Sequence, residues 1–203
     1  MCTRTELERA TANVIGILKN ISEYSEARIA IIGGLALWKY IPNGRTTQDV
    51  DFIVSINNAP QGVEQKLLAL PNSPFVQQAQ FFYYKIPGRS QIQIDITPER
   101  QSPYMPAAAA KLRDLPAGAT PYISAIDLVV FKINSCGLRA QTSKKCADAS
   151  DAQAMLDRLT GQAPLNLTNV QKAAVEQGIN DVVTHGTKTK AWWREKLGLP
   201  ASQ

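Results

Sequence analysis

Two short β-branched runs, separated by a glycine pair, constrain this chain more than any other feature. Arg28-Ile-Ala-Ile-Ile32 is too short and too branched for an amphipathic helix, and it runs straight into Gly33-Gly34. Leu35–Tyr40 then reads as a short helix, Pro42-Asn43-Gly44 as a polar turn, and Gln48–Val54 as a second strand. A strand that ends on two glycines and reopens as a helix belongs in a layered α/β structure.

The flanking segments agree. Residues 4–24 repeat apolar side chains at helical spacing, with Thr3 and Glu6 or Thr5 and Glu8 placed for a capping box. Gly62–Leu70 predicts a helix. Phe75–Ile86 and Gln91–Thr97 predict two strands joined by the turn Pro87-Gly88-Arg89-Ser90. Five prolines across residues 98–122 mark a connector, with a short helix at most over Ala107–Arg113. Beyond it the pattern is helical: Ala125–Leu138 capped by Ser124, Asp148–Leu159, a third helix capped by Thr168, and Lys188–Leu197. The expected architecture is an α/β (α+β) core over residues 1–122, built on a mixed sheet, and a C-terminal helical lobe over 123–203.

The titratable residues exclude much chemistry. Cys2, Cys136 and Cys146 are too few and too scattered for a disulfide framework or a zinc cluster, and they suit a reducing compartment. His185 is the only histidine and reads as a solvated residue of a Thr-His-Gly turn, so catalysis by a Ser–His or Cys–His pair has little to work with. No secretory leader and no apolar run of about 20 residues is present, and the expectation is a soluble, cytoplasmic protein. A net charge of +5 suits phosphate-bearing partners without demanding them.

What remains is carboxylate chemistry. In a strand Asp49 and Asp51 point to one face while Val50 and Phe52 take the other. Two carboxylates that close repel, and a divalent cation such as Mg2+ reverses the repulsion. Two solvated acids at a strand end are the bland alternative. The alternation Ile92-Gln93-Ile94-Asp95-Ile96-Thr97 then sets a third carboxylate among isoleucines, a costly choice if buried alone. If the two strands are neighbours, three acids converge as a phosphoryl-transfer site requires. Gly33-Gly34, at the opening of a helix, offers backbone N–H groups to a phosphate.

These residues resemble a known family. GGLALWKYIPNGRTTQDVDFIV, Gly33 to Val54, is similar to the signature of the nucleotidyltransferase (polymerase-beta-like) superfamily: a glycine turn, a short helix, Asp-x-Asp, then a third acid on a later strand. The nearest resemblance is to the AbiE-type toxin nucleotidyltransferases, through Arg45-Thr46-Thr47-Gln48-Asp49. Ile123–Arg139 resembles that family's lysine-bearing helix, and Lys144–Asp151 its Lys-Asp then Asp pattern.

The resemblance implies Mg2+ (or Mn2+) held by Asp49, Asp51 and Asp95, with Asp95 also drawing a proton from the acceptor. It implies ATP or another NTP held by Gly33, Gly34, Arg45, Thr46 and Lys132. Arg139, Lys145, Asp148 and Asp151 are secondary candidates, though Lys132 and Arg139 could equally pair with Asp148 and Asp151. The implied reaction moves an NMP to a hydroxyl of tRNA, a protein or a small molecule and releases pyrophosphate. Two departures stand out: Leu35 where the family often has Ser or Thr, and Cys146-Ala147 between Lys145 and Asp148. They keep open a catalytically inactive module that binds a nucleotide or partner. The C-terminal Lys188–Lys196 stretch, with Trp192 and Trp193, reads either as an RNA-tracking surface or as a docked terminal helix.

Overall fold

The computed structural model describes residues 2–86, 88, 91–161 and 163–201. The chain divides into two compact units, Met1–Ile123 and Ser124–Gln203.

The first unit opens with α1 (Arg4–Lys19), where Thr3 and Glu6 form the capping box: Thr3 accepts from the Glu6 N–H, and Glu6 accepts from the Thr3 N–H. The helix stops short of residue 24. Asn20 ends it and a separate 3-10 turn, Ser22–Tyr24, follows; Asn and Ser side chains compete for backbone partners outside helices. Next come β1 (Arg28–Ile32), α2 (Gly33–Tyr40), β2 (Asp49–Val54) and α3 (Gln61–Leu68). The glycines are thus the first turn of α2 rather than a loop before it.

The stretch 75–86 is two strands, not one. β3 (Phe75–Gln78) and β4 (Phe81–Lys85) pair antiparallel around Ala79, whose φ of 51° reverses the chain. β5 (Gln91–Pro98) pairs antiparallel with β4, giving the expected hairpin. Of its turn, Pro87, Arg89 and Ser90 lie outside the described residues. The connector holds no α-helix at Ala107–Arg113. Ala110–Lys111 instead forms β6 against Arg28 and Ile29, and 3-10 turns occupy Glu99–Gln101 and Leu112–Asp114. Alanine's helix propensity loses there to a sheet edge that needs covering.

The sheet order is β3-β4-β5-β2-β1-β6. The β2–β5 pair is parallel and the other neighbours are antiparallel. The Ile31 N–H donates to Pro121 O and Ile31 O accepts from the Ile123 N–H, so residues 121–123 cover the rest of the β1 edge. Register gives the two sheet faces opposite characters. Ile29, Ile31, Val50, Phe52, Phe82, Ile92 and Ile94 fill the apolar side with Leu7, Val14 and Leu18 of α1. Asp49, Asp51 and Asp95 stand on the other.

The second unit is helical. Ser124 caps α4 (Ala125–Leu138) by accepting from the Asp127 N–H. α5 (Thr142–Leu159) starts well before Asp148, so Lys144, Lys145 and Asp148 share one helix; its polar first turn has no side-chain cap to announce it. α6 (Asn169–His185) is capped by Thr168, and it passes so near α4 that a Cβ on Gly178 would fall 2.0 Å from Ile133 O. His185 is the last residue of this helix and half-buried, rather than part of a loop. In α7 (Lys190–Lys196), Trp193 is wholly buried, and Trp192 meets it edge-to-face beneath the Lys188 ammonium. Among the described residues, no helix is long and apolar enough to cross a membrane.

Candidate active site

Parallel pairing of β2 and β5 sets Asp49 opposite Gln93 and Asp51 opposite Asp95. One carboxylate oxygen from each of Asp49, Asp51 and Asp95 lies within 4.8 Å of the others, and all three side chains are half-buried. Ile residues on β5 and Val50 and Phe52 on β2 anchor the strands from the far side, so the acids ride on a rigid floor.

Each outer acid is held by the residue two places before it. Thr47 Oγ1, itself buried, donates to Asp49 Oδ1. Gln93 Nε2 donates to both Asp95 oxygens, at 2.9 and 3.1 Å. A spacing of two puts donor and acid on one face of an extended chain, which is why both can reach. The central acid is held from the helix end: the Gly34 N–H donates to Asp51 Oδ2 at 3.3 Å.

The glycines have a reason that the sequence did not reveal. A Cβ on Gly33 would fall 1.9 Å from Asp51 Oδ2, and one on Gly34 would fall 2.6 Å from Thr47 Oγ1. Gly33 also has φ +65°, a conformation costly for any L side chain. The pair lets the helix end close onto the acids, with its N-terminal positive potential directed at them. Leu35, the next residue, is wholly buried in the core.

Glu64 on α3 adds a fourth carboxyl within electrostatic range. Burial, and after it the Asp95 charge, pushes its pKa above the usual carboxylate range. Arg45 and Thr46 lie in the exposed segment before β2.

The remaining sequence-derived candidates gather in the second unit. Lys132, 5% exposed, reaches Asp148 Oδ1 at 2.7 Å and Asp151 Oδ2 at 2.8 Å. Arg139 donates to Asp148 Oδ2 at 3.0 Å. Two cations and two carboxylates therefore balance in one network. Lys145 is elsewhere, paired with Asp181 at 3.0 Å. Cys136, beside this network, has its thiol pushed up to about 11, first by burial and then by the Asp148 charge.

Thr47, Gln93 and Glu64 are the residues that pattern reading missed as site members. Gln93 was visible as a polar residue on the acid face, and Thr47 as part of Arg45–Asp49; neither pattern tells which way a hydrogen bond runs.

No family model matches this chain, and no curated protein matches it. Among solved structures, it superposes on an antigenic nucleotidyltransferase-like protein from Paracoccidioides brasiliensis with a TM-score of 0.50 and 20% identity, over 84% of this chain and 88% of that one. A CCA-adding enzyme from Thermotoga maritima, complexed with tRNA, matches with a TM-score of 0.32 and 13% identity, over 90% of this chain and 49% of that one. The second superposition is too loose to bear on the site. The first, together with the six-stranded mixed sheet, shows that this chain has a nucleotidyltransferase-like fold.

Proposed function

We propose that the protein is a nucleotidyltransferase that moves an NMP from an NTP to an acceptor hydroxyl and releases pyrophosphate. One observation carries this reading: three carboxylate oxygens within 4.8 Å of one another, on one sheet face, beside a helix that opens on glycine. An all-oxygen, all-carboxylate donor set fits a hard divalent cation, Mg2+ or Mn2+, and not a soft one. Asp49, Asp51 and Asp95 would hold it. Such a cation, when bound, neutralises charge on the transferring phosphoryl group and lowers the acceptor hydroxyl's hold on its proton.

The chain's own residues do the rest. Asp95, the acid farthest from the glycine turn, accepts the proton from the acceptor. Gly33 and Gly34 present backbone N–H groups to the phosphates, with the Gly34 N–H exchanging Asp51 for a phosphate oxygen. Arg45 and Thr46 approach the triphosphate from the segment before β2. Thr47 and Gln93 keep Asp49 and Asp95 aimed, which is where preorganisation acts. The AbiE-type likeness of Arg45–Asp49 belongs to the same proposal.

The burial of Leu35 favours a second reading, a non-catalytic module of the same fold, because that turn offers no hydroxyl to a triphosphate. Thermal stability separates the two. Mg2+ with an NTP at 100 times its Kd should stabilise the wild type by about 2.7 kcal/mol and leave an Asp49→Ala, Asp51→Ala double variant unmoved. An equal shift without the metal contradicts catalysis and favours the binding module.

A further inference from the structure

The acid face of the sheet continues past Asp95 onto β4. Tyr83 is opposite Gln93, which is opposite Asp49, so one row across three strands runs from the acids to an aromatic ring. Neighbouring strands stand about 4.8 Å apart, which sets the Tyr83 backbone roughly 10 Å from that of Asp49. Phe81 lies two residues earlier on the same face, 40% exposed, with its ring centroid 6.4 Å from that of Tyr83. A phenylalanine left this open is uncommon in this chain: among the described residues, the other exposed large hydrophobics are Leu138, Leu159 and Val170.

The order of parts across the sheet gives this strip a direction. The glycine turn and the positive end of α2 flank the acids on the β1 side, because Ile32 pairs with Asp51. Asp95 and then β4 flank them on the other. Phosphoryl transfer places the attacking and leaving oxygens in line on opposite sides of the phosphorus. With the phosphates at the helix end, the acceptor reaches the phosphorus from the β5–β4 side. Whatever carries the acceptor hydroxyl lies over Tyr83 and Phe81.

The chemistry of that flank selects the acceptor. Strands β3 and β4 and residues 91–94 contain no carboxylate. Exposed Lys85 stands on the same face of β4, while Gln78 and Gln91 exchange amide hydrogen bonds across it at 3.3 and 2.8 Å. A polycationic aminosugar needs carboxylates and finds none on these strands. A nucleobase finds two rings to stack on, amides to hydrogen-bond, and a cation for the adjoining phosphate.

We infer that Phe81 and Tyr83 form a stacking platform for a nucleobase near the 3′ end of a polynucleotide acceptor, with Lys85 beside the acceptor's phosphate. The inference rests on the proposed transferase reading for the direction of approach. The platform itself binds without nucleotide present.

The test uses the full chain and a 5′-fluorescein single-stranded RNA with a free 3′ hydroxyl, titrated by anisotropy without NTP. Phe81→Leu with Tyr83→Leu keeps apolar bulk and removes both rings; Phe81→Trp keeps a ring. The Kd for RNA should rise roughly tenfold or more in the double variant and stay near wild type in Phe81→Trp. The Mg2+–NTP melting shift should be the same in all forms. If that shift is missing from wild type, the transferase reading fails while the RNA titration still decides the platform. The platform is overturned if wild type does not bind the RNA or if the double variant binds it as tightly. It is overturned too if ring removal abolishes the Mg2+–NTP shift instead, which would assign the rings to the incoming nucleotide. Ring-dependent labelling of a protein fraction with unchanged RNA binding would likewise give the strip to a protein acceptor.

Discussion

Gly33 carries two separate constraints, and a methyl group violates both. Its φ of +65° costs an L residue about 1 kcal/mol, and the added Cβ would collide with Asp51 Oδ2. Gly118 supplies the control: its φ is +79°, but nothing lies within 4 Å of a Cβ there. Gly118→Ala should therefore lower the melting temperature by a few degrees and leave divalent-metal affinity alone. Gly33→Ala should lower both, with Mn2+ affinity from a spin-resonance titration falling at least about tenfold, the scale of about 1.4 kcal/mol. Equal metal affinity in the two variants would show that Asp51 is free to move aside without consequence. Around it, Thr47 donates to Asp49, Gln93 to both oxygens of Asp95 and the Gly34 N–H to Asp51, so each of the three carboxylates accepts from an uncharged donor.

At the scale of elements, the α4–α5 pair is joined by charge as well as by apolar packing. Lys132, Asp148 and Asp151 are each at most 5% exposed, and Arg139 completes the balance from the rim. Lys132→Met leaves two buried carboxylates facing one another and should cost about 3–5 kcal/mol of stability in denaturant melts. Replacing both acids as well should recover much of that loss, and a Lys132→Met protein as stable as wild type would contradict the network's importance. The Lys132–Asp pairing was open to pattern reading, because seven residues on a helix separate Lys132 from Arg139 and three separate the acids. The start of α5 was not, since Thr142–Ala147 has neither an apolar stripe nor a capping side chain. Likewise the β3–β4 turn hides behind Ala79, which takes a left-handed conformation without being Gly or Asn. β6 is a two-residue strand in an alanine-rich segment, recognisable only by its partner. Period-two alternation, by contrast, exposed Asp49, Asp51 and Asp95 at once; only strand adjacency had to come from three dimensions.

For the molecule as a whole, the sheet divides labour between its faces. One holds the apolar core with α1, and the other leaves an acid cluster, a helix end and an aromatic strip in one plane. A net charge of +5 on the chain coexists with an acidic centre on the sheet. Transfer of label from an α-labelled NTP to total RNA in the presence of Mg2+ tests this account most directly, with Asp95→Asn as the partner measurement. Wild type should label the RNA fraction, and Asp95→Asn, folded to a similar melting temperature, should lose at least about a hundredfold in rate. Labelling by Asp95→Asn at the wild-type rate, or labelling that survives removal of Mg2+ by chelation, would contradict it.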